Sequence, residues 1–289
     1  MYKQIATNKR NTILIMIFFV ALISIIGGIF AFSFHDAWIA AWVFFVSLGY
    51  AIIQYFASAS LAVAMTGAKE IQKKDYPVYY NIVENLSLSA GLPMPKVCVI
   101  DDPAPNAFAT GRDPKHSVVA VTTGLLDILN KSELEAVVAH ELSHIKNYDI
   151  RVSMIAFGLV CVIGFIADLG LRMSYYGSDE DRSPVGSIML LVTAIFAPLI
   201  ASLAQFAVSR EREYLADMSA VSITRYPEGM ISALRKIAEH SRPMRRQNAA
   251  TEALYINNPM KKGTLSSLFS THPPIEKRIE RLEHGKKTF

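Results

Sequence analysis

The chain has 289 residues, 52% of them hydrophobic, with a formal net charge of +4 and two cysteines. Its mean hydropathy of +0.28 is too high for an ordinary soluble enzyme and indicates several membrane spans. The net charge is too small to suggest nucleic-acid binding. Neither cysteine has the spacing of a disulfide framework or a cysteine-based metal site, so we expect Cys98 and Cys161 to be small buried apolar residues.

Two long uncharged runs follow a short basic N-terminus. The first, residues 13–34, is long enough to span a bilayer and too long for the apolar core of a signal peptide, so we expect a retained anchor. His35 and Asp36 form a tight turn before the second predicted span, residues 37–56. Residues 1–64 are therefore predicted to form an N-terminal transmembrane hairpin.

The hydrophilic stretch over residues 65–151 has the pattern of the first part of an α+β domain. We expect two helices, over residues 70–89 and 123–129, and three short strands, over residues 96–100, 106–110 and 117–121, the first of which is rich in β-branched residues. A further helix follows. Ser132 is expected to cap it, and Glu135, three residues later, to complete a capping box.

That helix carries the motif H-E-x-x-H at residues 140–144. His140 and His144 are one turn apart, so both imidazoles project from one face, and two imidazoles at this spacing suit a tetrahedral zinc ion. Glu141 lies beside them, placed to take a proton from a zinc-activated water. The alternative is a charged helix with two unrelated histidines, and the rest of the chain weakens it.

Residues 152–208 are predicted to form a second transmembrane hairpin, with spans over residues 152–171 and 185–208. Most of the basic residues that flank the four predicted spans fall on one side, whereas the loops on the other side carry only Arg172 and Arg182 against several acidic residues. Those on the basic side are Lys3, Lys9, Arg10, Lys69, Lys73, Lys74, Lys146, Arg151, Arg210 and Arg212. The positive-inside rule therefore places both termini and the motif helix in the cytoplasm. Whether the last two spans cross the bilayer fully stays open.

A catalytic zinc usually takes three protein ligands, and H-E-x-x-H supplies two. Asn147 and Ile150 stand where the longer motif would have its glycine and third histidine, which excludes that form. A downstream carboxylate is the remaining common choice. Glu213 is the best candidate, since it is on a predicted helix on the same membrane side, with Asp217 one turn away. Residues 209–289 are expected to complete the domain, with helices over 228–240 and 275–282.

These motifs carry a resemblance to a known family. Residues 139–144 together with residues 213–217 resemble the HtpX heat-shock membrane proteases, whose eukaryotic relatives are the longer CAAX prenyl proteases, and residues 106–111 and 269–274 fit the same family. The resemblance covers essentially the whole chain. It implies an α-helical multi-pass membrane protein with a cytoplasmic α+β, gluzincin-like zinc metallopeptidase domain and, with the runs above, about four transmembrane helices.

The resemblance also implies roles for individual residues. His140, His144 and Glu213 would bind one zinc ion per chain, and Glu141 would be the general base. Asp217 would accept a hydrogen bond from a ligand histidine and so fix its tautomer.

Further roles implied by the resemblance concern the substrate. Asn106 and Ala107 would lie on an edge strand that pairs with the extended backbone of a peptide. His272 or Arg210 would stabilise the oxyanion. Two other interpretations stay open, because His272 could simply cap the terminal helix and Arg210 could be a charge flanking the membrane.

The function that the resemblance implies is that of a zinc metalloendopeptidase of the cell inner membrane. Its substrates would be membrane proteins or unfolded polypeptides, damaged or misfolded ones above all, in quality control and the stress response. Its other partner would be the lipid bilayer, with no nucleic acid, and self-cleavage is expected. An intramembrane protease is disfavoured by the charges around the motif, and a zinc-containing scaffold by the retained Glu141.

Overall fold

The computed structural model describes residues 2–154, 158, 210–246, 254–257 and 273–285. The spans predicted over residues 152–171 and 185–208 lie outside the described residues, except for residues 152–154 and 158. Cys161 and His272 also lie outside them.

The N-terminal part is a helical hairpin. Helix α1 (Tyr2–Phe34) and helix α2 (Ala37–Thr66) are joined by the two-residue turn that the sequence predicted. The Asp36 carboxylate caps α2 by accepting the backbone N–H of Trp38 at 2.9 Å. This cap satisfies one of the N–H groups that a helix start leaves without an intrahelical partner.

Both helices are long and apolar enough to cross a membrane, over Ile5–Phe32 and Ala37–Ala57. The prediction of two long apolar helices at residues 13–34 and 37–56 is confirmed. Many of their large apolar side chains are exposed, including Trp38 and Phe45. Such exposure is unfavourable in water and is expected where the solvent is lipid.

Four strands form one mixed sheet: β1 (Lys69–Glu70), β2 (Lys96–Ile100), β3 (Ala107–Gly111) and β4 (Ser117–Thr122). Their order is β1-β2-β4-β3, with β2 parallel to β4 and the outer pairs antiparallel. Among the described strands, β3 is thus at one edge of the sheet. The three predicted strands are confirmed to within one residue at each end.

The helix predicted over residues 70–89 is wrong at its start. Residues 69 and 70 form β1, which pairs with β2, and helix α3 begins only at Pro77. Proline suits the first helical position because its fixed φ matches the helix and its missing N–H would have had no partner there. Pro77 therefore marks the start of α3.

The other α-helices with described bounds are α3 (Pro77–Ala90), α4 (Thr123–Ile128), α5 (Lys131–Lys146), α6 (Arg210–Thr224), α7 (Pro227–Glu239) and α8 (Ile275–Gly285). Helix α5, which carries the H-E-x-x-H motif, is central. Its Val137, Val138 and Leu142 belong to the same buried cluster as Val119 and Val121 of β4. This burial fixes the face that the motif presents.

The predicted cap of α5 is wrong by two residues. The N-cap is Asn130, whose side chain accepts the N–H of Glu133 at 3.0 Å, while Glu133 accepts the N–H of Asn130 at 2.8 Å. Ser132 donates its hydroxyl to Asn130 instead. Glu133 also takes an ion pair from Lys236 at 2.8 Å, so α7 helps to determine where α5 begins.

Candidate metal centre

Two helices from distant parts of the chain bring three side chains together. His140 and His144 come from α5, and Glu213 comes from the first turn of α6. His140 and Glu213 are 1% and 2% exposed. Buried polar groups are stable only when they have hydrogen-bond or metal partners. The partners of His140 and Glu213 therefore determine how these side chains are arranged.

The ligand atoms are spaced as one metal ion requires. The Nε2 atoms of His140 and His144 are 3.2 Å apart. Glu213 places Oε1 at 3.4 Å from Nε2 of His144 and Oε2 at 3.7 Å from Nε2 of His140. Donor atoms about 2.0–2.1 Å from a tetrahedral zinc are separated by roughly 3.3 Å. The two imidazoles and the carboxylate therefore fit a zinc ion that leaves one position open.

Each histidine is held by a carboxylate on its other nitrogen. Nδ1 of His140 is 3.0 Å from Oδ1 of Asp217, and Nδ1 of His144 is 3.1 Å from Oδ2 of Asp149. A proton on Nδ1, donated to the carboxylate, leaves the lone pair of Nε2 directed at the metal. Asp217 is the carboxylate to which the resemblance assigned this role, and Asp149 is a second carboxylate that the sequence reasoning missed.

Asp149 reaches His144 because the chain turns sharply after α5. Tyr148 has φ of 62°, in the left-handed region that residues other than glycine seldom adopt. Residues 149–154 are helical again, so the carboxylate comes back against the end of the motif helix. The one sequence signal was an acidic residue five positions after the second motif histidine.

Arg278 is the second residue that the sequence reasoning missed. Its side chain is fully buried and forms a bidentate pair with the Asp217 carboxylate. Nε donates to Oδ2 at 2.9 Å, and Nη2 donates to Oδ1 at 2.6 Å. Its Nη1 lies 3.8 Å from Oε2 of Glu213. The available signal was periodicity, since Arg278 shares a helix face with Ile275 and Leu282, where an apolar residue is expected.

The electrostatics of the centre favour a cation. Burial and the charge of Arg278 lower the pKa of His140, but its hydrogen bonds with Asp217 and Glu213 outweigh them and raise the pKa to about 9. Burial raises the pKa of Asp217, but the interactions with Arg278 and His140 outweigh burial and lower the pKa below its usual value. Without a metal, protons on the imidazoles would balance the carboxylates, and a dication can take over that role.

Glu141 lies beside the ligands at a small cavity. The cavity has a volume of about 30 Å³ and is lined by the three ligand side chains, Glu141 and the apolar residues Ala109, Ile150, Leu254 and Ile256. This volume admits a water molecule. A carboxylate, three metal-ligating groups and a water-sized space therefore meet at one point.

Of the predicted substrate-binding residues, Ala107 begins β3 and Asn106 immediately precedes it. The backbone carbonyl of Ala107 accepts a hydrogen bond from the N–H of Ile256 at 3.0 Å. The Asn106 side chain donates to the carbonyl of Asn257 at 2.8 Å and accepts its N–H at 3.1 Å. Residues 254–257 thus lie beside Asn106 and Ala107, on the outer side of β3. Backbone groups alternate along a strand, so Ala109 is the next residue directed outward.

The two candidates for oxyanion stabilisation were Arg210 and His272. Arg210 is exposed at the first position of α6, and His272 lies outside the described residues. Arg212 is closer, with 11% of its side chain exposed and Nη1 at 3.6 Å from Oδ1 of Asp149. The assignment of Asn106, Ala107, His272 and Arg210 to the substrate stays a prediction.

Comparison with known proteins gives a consistent result. The model of the family described as Peptidase family M48 matches residues 78–286. A protein named Protease HtpX homolog from Tropheryma whipplei (strain Twist) is 50% identical over 292 residues, covering 100% of both chains. The homolog from Ligilactobacillus salivarius (strain UCC118) is 46% identical, covering 98% of this chain and 99% of its own.

Among solved structures, the crystal structure of S. mikatae Ste24p resembles this chain with a TM-score of 0.52 and 19% identity. The match covers 98% of this chain and 67% of that one. At this identity the likeness concerns the fold alone.

Proposed function

This chain belongs to peptidase family M48 and is an HtpX-type membrane metalloprotease, and from that premise we propose that it is a zinc endopeptidase acting on membrane proteins at the cytoplasmic membrane surface. The observation that carries the proposal is the convergence of His140, His144 and Glu213 beside Glu141 at a water-sized cavity. Two imidazoles and one carboxylate form a typical ligand set of catalytic zinc.

The residues of the chain divide the chemistry among them. Bound zinc would supply Lewis-acid polarisation and a water acidic enough to lose a proton near neutral pH. Glu141 would accept that proton and pass it to the leaving amine. Asp217 and Asp149 hold the two imidazoles in the tautomer that presents Nε2.

The proposed topology has four spans. Residues 1–64 and 152–208 would each form a transmembrane hairpin, and residues 65–151 and 209–289 would form the two parts of one cytoplasmic peptidase domain. The contact between α5 and Glu213 supports this division, since ligands from before and after the second hairpin meet in one centre. The centre would then be complete only after that hairpin has inserted into the membrane.

The proposed substrates are damaged or misfolded membrane proteins and unfolded polypeptides of the cell inner membrane. Strand β3 supports this choice because an edge strand binds an extended peptide through main-chain hydrogen bonds, largely irrespective of sequence. Membrane quality control requires that kind of selection. Self-cleavage in detergent would follow from the same lack of sequence preference.

The test uses the full chain, purified in detergent, with an unfolded membrane-protein fragment as the substrate. Fragments should form in the presence of zinc, disappear when a chelator removes it and return when zinc is restored. One bound zinc per chain without cleavage would contradict the proposal and favour a scaffold. Cuts confined to the middle of a membrane span would favour an intramembrane protease.

A further inference from the structure

The side chain of Asn8, on α1, is hydrogen-bonded to Asp149 of the metal centre, and we propose that Asn8 is a positioning residue for zinc. It would act on His144 through Asp149, so α1 would belong to the metal centre as well as anchoring the protein. The inference rests on the metallopeptidase function proposed above. Asn8 and Asp149 are 141 positions apart in the chain.

The contacts of Asn8 are short and buried. Its side chain is 3% exposed. The amide nitrogen donates to Oδ1 of Asp149 at 2.7 Å and to the backbone carbonyl of Asn147 at 2.8 Å. A side-chain amide has two N–H donors, and both are used at the end of the motif helix.

Asp149 transmits this contact to the metal ligand. Its Oδ1 accepts from Asn8, and its Oδ2 is 3.1 Å from Nδ1 of His144. A carboxylate held at both oxygens cannot rotate, so the imidazole it supports keeps one plane and one tautomer. Without the hydrogen bond from Asn8, the Asp149 carboxylate would be able to turn toward the charge of Arg212, whose Nη1 is 3.6 Å from Oδ1.

Neighbouring contacts hold α1 in this position. Lys9 places its ammonium 4.6 Å from the centre of the Tyr148 ring, on the same turn that presents Asp149. One turn further along α1, Thr12 is 2% exposed, but among the described residues its hydroxyl bonds within the helix alone, to the carbonyl of Asn8 at 2.9 Å. Of the two buried polar residues on this face, Asn8 therefore reaches the metal centre and Thr12 offers a matched control.

The experiment compares Asn8→Ala with Thr12→Val in the full chain in detergent. Zinc affinity is measured by competition with a chelator, and the visible absorption of the Co²⁺-substituted protein reports ligand geometry. We expect Asn8→Ala to weaken zinc binding by about 10–100-fold, the usual cost of losing an outer partner of a ligand, and to change the Co²⁺ spectrum. Thr12→Val should change neither. In activity, Asn8→Ala should lower kcat and leave KM unchanged.

A double-mutant cycle tests the route through Asp149. If Asn8 acts through that carboxylate, Asn8→Ala should have little further effect on zinc affinity in an Asp149→Asn background. Equal zinc affinity and equal spectra for Asn8→Ala and Thr12→Val, or full additivity in the cycle, would overturn the proposal and leave Asn8 a packing residue. If Asn8→Ala does not fold, Asn8→Ser, which keeps a shorter hydroxyl donor, takes its place in the same comparison.

These readouts separate this proposal from the proposed function. Zinc affinity and the Co²⁺ spectrum require no substrate. A wild-type protein that binds zinc and cleaves nothing would contradict the peptidase function, while the comparison of Asn8→Ala with Thr12→Val would still decide the role of Asn8.

Discussion

Arg278 and Asp217 form a bidentate, fully buried ion pair, with hydrogen bonds of 2.9 and 2.6 Å, that joins the last described helix to the metal centre. Asp217 in turn holds His140 at 3.0 Å. The sequence between α7 and α8 is long, yet α8 contributes the cation that offsets the carboxylates around the ligands. The terminal helix is therefore part of the site.

The first prediction concerns this pair. Arg278→Ala should destabilise the protein by about 3–5 kcal/mol, since removing one partner leaves a buried charge without compensation. It should also reduce zinc content, because Asp217 would no longer be fixed. Arg278→Lys should recover only part of the loss, because an ammonium cannot form the two parallel bonds. Unfolding in denaturant and metal analysis measure both effects.

Arg281 provides the control on the same helix. Its guanidinium stacks on the Tyr214 ring at 4.3 Å, and 54% of its side chain is exposed. A cation–π contact at an exposed site contributes about 0.5–1 kcal/mol. Arg281→Ala should therefore leave zinc content unchanged, and an equal loss in both variants would show that α8 only packs against the domain.

Comparison of the sequence with the structure shows which features local patterns determine. The strands over residues 96–100 and 117–121 followed from β-branched runs, and the motif placed His140 and His144 on one face. Residue spacing along one helix needs no tertiary information. The approach of Glu213 to α5 could not be predicted from spacing along one helix, because residues 152–208 separate Glu213 from the motif in the chain.

The features that were missed depend on contacts between distant segments. Asn130 and Ser132 are both good helix caps, and each has a glutamate three residues later, so local sequence could not choose between them. The bond from Lys236 to Glu133 favours the earlier cap. Likewise, nothing in the local pattern around Asn8 or Arg278 shows that Asn8 contacts Asp149 or that Arg278 contacts Asp217.

The second prediction concerns the proposed base. Glu141→Gln should retain one zinc per chain and reduce cleavage by about 10²–10⁴-fold, since the amide cannot accept the proton of the attacking water. Glu135→Gln, at a half-exposed position on the same helix, should cleave normally. Product formation and metal content are measured on the same preparations. Cleavage at the wild-type rate by Glu141→Gln would refute the proposed role.

The third prediction concerns the distant ligand. Glu213→Ala should weaken zinc binding by more than the roughly 10–100-fold that outer partners cost, because a direct ligand is lost. Glu211→Ala, two residues earlier on α6 with 78% of the side chain exposed, should bind zinc normally. Metal analysis after dialysis against a weak chelator measures the difference. Full zinc occupancy in Glu213→Ala would show that another residue is the third ligand.

The fourth prediction concerns pH. In the metal-free protein the hydrogen bonds with Asp217 and Glu213 outweigh burial and raise the pKa of His140 from 6.5 to about 9, and the pKa of His144 is raised as well, by Asp149 and Glu213 against burial. Both imidazoles must be neutral to bind zinc. Zinc uptake at neutral pH should therefore release protons, and zinc affinity should increase with pH until about pH 9.

Calorimetry of zinc binding in two buffers with different ionisation enthalpies counts the released protons. Asp217→Asn should release fewer at neutral pH, because loss of the carboxylate removes one of the interactions that raise the pKa of His140. The same raised pKa stabilises the metal-free fold when His140 is protonated, so that contribution is complete below pH 6.5 and is lost as the pH rises through about 9. A zinc affinity that did not change between these limits would show that the carboxylates do not hold protons on the ligands.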